Sequence, residues 1–245
     1  IWQSDALFLH VRRLPEVVAR LLTDRDDLHQ AKVVAASSRP RAAEDSYMPC
    51  FLAGESQGRG IADTLGVPFF PCAHQQGHIA AAAWSAGRPD LLDRPHLAWH
   101  LSGGTTELLY VQPDGVSVWA QKLGGTSDIS AGQLIDRTGQ LLGLPFPAGK
   151  ALDGLYGQAD VCQNYTVKIN DLTFSLSGME NKVRELVERG TPPANVARFV
   201  VDTVVKAVLR TTDKALEQYP GLPVLCSGGV ASNSALRAAL RDAVF

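Results

Sequence analysis

Two histidines, two Ser-Gly-Gly triplets and two aspartates are the residues of this chain whose types and spacing could do chemistry. His74 and His78, in HQQGH, lie four positions apart. On a helix they project from one face, where two neutral imidazoles could share a metal ion; a pair of surface or capping histidines is the alternative. His10, His29, His96 and His100 form no comparable pair, so a carboxylate would have to serve as third ligand. Ser102-Gly103-Gly104 follows the strand-like LAWHL, and Ser227-Gly228-Gly229 follows PVLC. Glycines let a backbone approach a ligand closely, and free N–H groups at a helix start favour an anion. The second triplet, with Ser232, Asn233 and Ser234 opening a helix, could therefore hold phosphate or ribose hydroxyls; a tight turn with a Ser or Asn cap explains the same residues. The first, in HLSGGTTELLYV, reads as a hairpin with the Thr105 and Thr106 hydroxyls beside its glycines. Asp136 and Asp153 could bind ribose hydroxyls or simply be solvated. FSLSG, at 174–178, could be a helix cap or a ligand-facing turn. No Cys-His or Ser-His-Asp spacing stands out, which leaves metal and backbone electrostatics as the available means of catalysis.

The elements that must position these residues alternate at first. Residues 14–22 (LPEVVARLL) have helical apolar spacing, 32–36 read as a buried strand, 51–65 as a helix, 67–71 as a strand and 74–86 as an alanine-rich helix. That order predicts a layered α/β domain. Residues 97–101, 107–111 and 116–123 then read as strands of an antiparallel meander, joined by Gly-Gly and Pro-Asp-Gly turns. Helices are expected at 129–142, 150–158, 179–188 and 193–219, followed by a strand at 223–226 and a helix from Ser232. We place a boundary near Gly124, giving an N-terminal subdomain, 1–123, that carries the histidines, and a mostly helical C-terminal subdomain, 124–245. The loop Leu144-Pro145-Phe146-Pro147-Ala148-Gly149 would fix a turn near a helix start. Two strand-SGG units suggest a duplicated fold whose halves each offer a phosphate-binding turn toward a central cleft.

Composition narrows the class without naming an activity. With 245 residues, 45% hydrophobic and 20% charged, 22 Gly and 14 Pro, the chain can bury a sizeable core and is neither collagen, disordered chain nor peptide scaffold. Lys plus Arg total 23 against 25 Asp plus Glu, a formal charge of -2, which is not the footprint of a stand-alone nucleic-acid binder. Arg12, Arg13, Arg20, Arg39 and Arg41 give only a local basic bias, read as a solvated face. The four cysteines form no CxxC pair, which fits a reducing cytoplasm. The apolar stretch 196–209 is interrupted by Arg198, Asp202 and Lys206, so no membrane span is expected, and no targeting segment is visible. The opening on Ile1 and the stop at Phe245 after a helical pattern predict that both ends are cut.

Read in order, HQQGHIAAA, LSGGTTEL, SDISAGQLIDRTGQLLGLPFPAGKALD, FSLSG and SGGVASNSALR resemble the TsaD/YgjD (Gcp, Kae) family of tRNA threonylcarbamoyladenosine synthases. The resemblance runs from about Ala35 to the end. It implies the actin-like, sugar-kinase and chaperone ATPase (ASKHA) fold, with two subdomains around a nucleotide cleft. It implies that His74 and His78 are metal ligands, for Fe or Zn. It further implies that His100, Leu101, Ser102, Gly103 and Gly104 line the substrate adenine nucleotide, and that Asp136, Gly149, Asp153 and Asn233 touch its ribose, phosphate or base side. The implied reaction moves a threonylcarbamoyl group from threonylcarbamoyl-adenylate to the adenosine beside the anticodon of tRNA. Implied partners are tRNA, an ASKHA-fold paralogue and small ATPase subunits. The family's GETxDDAxGEAxDK segment reads GGTSDISAGQLIDR at 124–137, losing acidic positions but keeping Asp136, and SGGHTQ reads SGGTTE. The family's first strand is absent, and its third metal ligand would fall beyond Phe245. A non-catalytic partner subunit of the same fold is thus the alternative. A metal-dependent glycoprotein endopeptidase ranks lower because HxxxH lacks the Glu of HExxH, and sugar-kinase or ATPase activity competes only at the level of fold.

Overall fold

The computed structural model describes residues 2–24, 27, 30–161 and 166–242. Contacts divide the chain into two units, residues 1–85 with 115–119, and residues 86–114 with 120–245.

In the first unit, β1 (Val34–Arg39) pairs in parallel with β2 (Phe69–Ala73) across the crossover helix α2 (Phe51–Leu65). The helix lies close on the sheet because Gly58 has no side chain: a Cβ there would stand 2.8 Å from the Phe69 ring. Gly66, with φ 66°, ends α2 in a left-handed cap, and the Val67 N–H bonds back to the Ala62 carbonyl. β2 runs without a loop into α3 (His74–Ser85). Gln76 fixes this junction, accepting the Ala73 N–H and donating to the Val118 carbonyl. The helix expected at 14–22 extends in both directions as α1 (Gln3–Asp24), through Pro15. Its half-buried residues, Leu7, Leu14 and Val18 among them, keep helical spacing on both sides of that proline.

The second unit is built on a mixed six-stranded sheet, ordered β6-β7-β5-β4-β3-β8. β3 (His96–Leu101) and β4 (Thr106–Asp114) form the expected hairpin, with Leu101 opposite Thr106. β5 (Ser117–Thr126) continues the meander. β8 (Val224–Ser227) pairs with β3 in parallel. The boundary expected near Gly124 lies inside β5, whereas contacts separate the units after Ser85. The physical reason is pairing: β3 and β4 belong to the sheet that β8 completes, so they group with the C-terminal helices. β6 (Ile169–Asn170) and β7 (Thr173–Phe174) are two residues each, too short for an alternation that sequence could show. They dock where β5 has glycine, since a Cβ on Gly124 would run into the Leu172 backbone.

Helices α4 (Ala131–Leu141), α5 (Gly149–Tyr156), α6 (Ser177–Glu188), α7 (Pro193–Gln218) and α8 (Ser234–Asp242) complete the unit. α7 buries a stripe at helical spacing, Val196, Val200, Val204, Ala207 and Val208, against a core that includes Leu97, Trp99, Leu101 and Phe174. Trp99 is fully buried, and its indole N–H donates to Thr212 Oγ1 at 2.9 Å. No helix among the described residues is long and apolar enough to cross a membrane.

Thr212→Val leaves the Trp99 N–H buried without this acceptor. It is expected to lower the unfolding free energy by about 1–3 kcal/mol in urea titrations, and an unchanged midpoint would show that Trp99 does not depend on the bond.

Candidate functional site

The parallel register of β3 and β8 sets His100 opposite Ser227, so both Ser-Gly-Gly turns leave the sheet at the same end. Each is held locally. The Ser102 N–H bonds the Thr105 carbonyl, and the Thr105 N–H bonds Ser102 Oγ. Ser227 Oγ donates to the Trp99 carbonyl of the neighbouring strand. Gly228 has φ 97°, and a Cβ there would run into the Leu101 carbonyl. On the other side α4 begins hard against the first turn, where a Cβ on Gly132 would overlap the Gly103 backbone. Ser130 caps α4, donates to the Gly103 carbonyl and closes a capping box with Gln133, while Thr106 Oγ1 accepts the Ala131 N–H.

Beside these turns lies a cavity of about 430 Å³, within the size range of small-molecule sites. Of the residues singled out from sequence, Gly103, Asp136, Gly149, Asp153 and Asn233 line it. His100, Leu101, Ser102 and Gly104 are not in its wall, and Leu101 is wholly buried in the core. The wall also contains Gly229 and Ser232, and Gly132 and Lys150, of which sequence reasoning did not assign the last two to a ligand. Gly229 and Ser232 lay within the second turn motif; Lys150 had only its place after Gly149 as a signal.

The lining carboxylates are engaged with the protein. Asp136 Oδ1 accepts the Ala148 N–H at 2.9 Å and so ties α4 to the proline-rich loop. Asp153 accepts from Asn233 Nδ2 at 2.8 Å, from Ser234 Oγ at 2.7 Å and from the Ser234 N–H. Asn233 in turn caps α8, its Oδ1 accepting the Leu236 N–H. The helix expected from Ser232 therefore starts at Ser234, after a 3-10 turn over Gly229–Ser232. The pair expected to touch a ligand is also the link between α5 and α8.

FSLSG proves to be a helix start capped from a distance. Asp128 accepts from Ser175 Oγ, Ser177 Oγ and the Leu176 N–H, the last at 2.9 Å. Partial burial would raise its pKa, but these hydrogen bonds outweigh it and hold the carboxyl far below the ordinary carboxylate range.

His74 and His78 lie in the first unit, on the first turns of α3. Their Nε2 atoms are 2.9 Å apart, with the rings edge to face. One imidazole must donate and the other accept, so a proton lies between two nitrogens that also converge well enough to share a cation. Desolvation and the neighbouring His74 lower the His78 pKa, which favours the neutral form a metal requires. Among the described residues no cluster of three His, Cys, Asp or Glu side chains stands ready to hold a metal. The donor set thus fits a metal as two of its ligands.

The family described as tRNA N6-adenosine threonylcarbamoyltransferase, TsaD, matches residues 5–244. The protein of that name from Enterococcus faecalis is 34% identical over 202 residues, covering 79% of this chain and 56% of the relative. Its counterpart from Thermus thermophilus is 33% identical over 241 residues, covering 96% of this chain and 70% of the relative. The chain thus spans between 56% and 70% of the length of these two relatives. A crystal structure of full-length HypF in a phosphate- and nucleotide-bound form superposes with a TM-score of 0.61 at 14% identity, covering 86% of this chain and 41% of that one. HypF of T. kodakarensis superposes with a TM-score of 0.60. The fold is the α/β ASKHA fold expected from the motifs.

The cap on α6 can be tested by pH. Because the folded-state pKa of Asp128 is depressed, its contribution is complete above the unfolded value of about 4 and disappears as pH falls toward the folded value. Asp128→Asn is expected to cost about 1 kcal/mol at pH 7, discounted for the exposure of the group. In urea titrations at pH 7, 5 and 3 its deficit should shrink with acidification; a constant deficit would exclude the charged cap.

Proposed function

Since the chain belongs to the tRNA N6-adenosine threonylcarbamoyltransferase family, we propose that it acts in tRNA threonylcarbamoyladenosine modification, with the cavity of its second unit as the adenine-nucleotide site. One observation carries this reading: Gly103, Asp136, Gly149, Asp153 and Asn233, distant in sequence, line one cavity beside two abutting Ser-Gly-Gly turns. In the proposed reaction the exocyclic amine of the tRNA adenosine attacks the carbamoyl carbon of threonylcarbamoyl-adenylate. A C–N bond forms, the C–O bond to phosphate breaks, the amine loses a proton and adenylate departs.

The contribution of this chain is positioning and electrostatics. Backbone N–H groups of the glycine turns steady negative charge on the nucleotide. Asp153 and Asn233 hold α5 and α8 together and so keep both walls in place. Asp136 restrains the loop that brings Gly149 to the cavity. His74 and His78 would hold a divalent metal, Fe or Zn, which when bound would supply Lewis-acid chemistry. tRNA would be met with the help of an ASKHA-fold paralogue and small ATPase subunits, because the net charge of -2 supplies little long-range attraction of its own.

A second reading, a non-catalytic partner subunit of the same fold, is favoured by the residues at the lost acidic positions. Gly125 is packed against the Thr106 backbone with φ 121°, and Gln133 is committed to the α4 capping box. Gly125 and Gln133, two of the three such positions, serve architecture; the third is Ile129.

Nucleoside analysis of tRNA after incubation with threonylcarbamoyl-adenylate and the partner proteins separates the two readings. For a catalyst, His74→Ala and His78→Ala should each reduce product by at least the roughly 10- to 100-fold that loss of a metal's outer-shell partner costs. Wild-type product levels in both variants would overturn the catalytic reading and leave that of the partner subunit.

A further inference from the structure

Lys150 occupies a position that helix electrostatics disfavours. It is the second residue of α5, in the first turn, where the positive end of the helix dipole repels an ammonium group. Asp153, one turn further along the same helix, would be its natural i,i+3 partner. Asp153 instead directs both oxygens to α8, accepting from Asn233 and Ser234. Among the described residues Lys150 has no ion-pair partner at all. A residue that breaks a local rule without a compensating contact marks a place where something outside the fold completes the interaction.

What Lys150 does meet is the cavity. Around it the wall is open backbone: a Cβ on Gly103, Gly149 or Gly229 would meet nothing within 4 Å. A ligand group can therefore reach main-chain N–H groups on several sides. Asp136 Oδ1 is turned to the Ala148 N–H, and among the described residues no ion pair joins this carboxylate to Lys150. An unpaired cation beside bare glycine backbone is a complement to phosphate oxygens.

We propose that Lys150 sets the charge preference of this cavity, selecting a phosphate-bearing adenine nucleotide over the uncharged nucleoside. The inference rests on the nucleotide reading of the cavity and adds to it the side chain that recognises the phosphate. Lys150 is here a specificity residue: it touches the bound nucleotide and forms no bond in the transfer itself.

Calorimetric titration of the intact protein with AMP and with adenosine, at low and at physiological salt, tests this. The wild-type protein is expected to bind AMP about tenfold more tightly than adenosine, the scale of one charge-assisted contact at a partly solvated site. Added salt should erode that advantage. Lys150→Met, which keeps the length of the stem, should bring AMP down to the affinity of adenosine and leave adenosine unchanged. Lys150→Arg should retain the preference, and both variants should melt like the wild type because the position is exposed. If Lys150→Met weakens both ligands equally, or leaves the advantage of AMP intact, Lys150 does not read the phosphate while the nucleotide site stands. If the wild-type protein binds neither ligand, the nucleotide reading fails and this inference fails with it.

Discussion

The candidate site depends on one pairing, the parallel alignment of β3 with β8. It brings the ends of two strands that are more than half the chain apart in sequence to one end of the sheet, and with them two Ser-Gly-Gly turns. The turns then pack so closely that side chains are excluded. Gly228 lies on the Leu101 carbonyl in a backbone conformation that favours glycine, and Gly132 lies on the Gly103 backbone. A methyl group at either point would push β8 or α4 away from the first turn. The cavity wall is therefore a consequence of sheet register as much as of the motifs themselves.

Three carboxylates illustrate a second constraint, that helix starts and tight loops must satisfy their N–H groups before any ligand arrives. Asp128 receives donors from the start of α6, Asp136 restrains the loop before α5, and Asp153 serves the start of α8. Each joins two elements of the second unit, and Asp136 and Asp153 also line the cavity. The groups that face the cavity beside these include glycine backbone and the side chain of Lys150. Asp136 and Asp153 thus hold the architecture together at the cavity they line.

The histidine pair has its own support in the first unit. β2 passes directly into α3, and Gln76 pins the junction through two hydrogen bonds, so the two imidazoles stand on a helix whose start is fixed. The i,i+4 spacing sets both rings on one face of α3, where their Nε2 atoms stand 2.9 Å apart.

Much of this was legible in the residues. The helical face carrying His74 and His78, the helix at 51–65, the Gly-Gly hairpin and the order of the motifs all rest on short-range rules of periodicity and turn chemistry, which need no knowledge of the partner segment. The order of motifs was enough to identify the family and its α/β fold. What escaped was whatever depends on a partner remote in sequence: that Asp128 caps a helix begun at Ser177, that β6 and β7 join the sheet at all, and that β3 and β4 group with the C-terminal helices. The same holds for the site. Sequence alone selected Asp136, Gly149, Asp153 and Asn233, but only the tertiary structure decided that Asp153 turns its oxygens to α8, leaving Lys150 beside the cavity without an ion pair among the described residues. Spacing along a chain fixes which side chains share a face, whereas the pairing of charges depends on which faces meet.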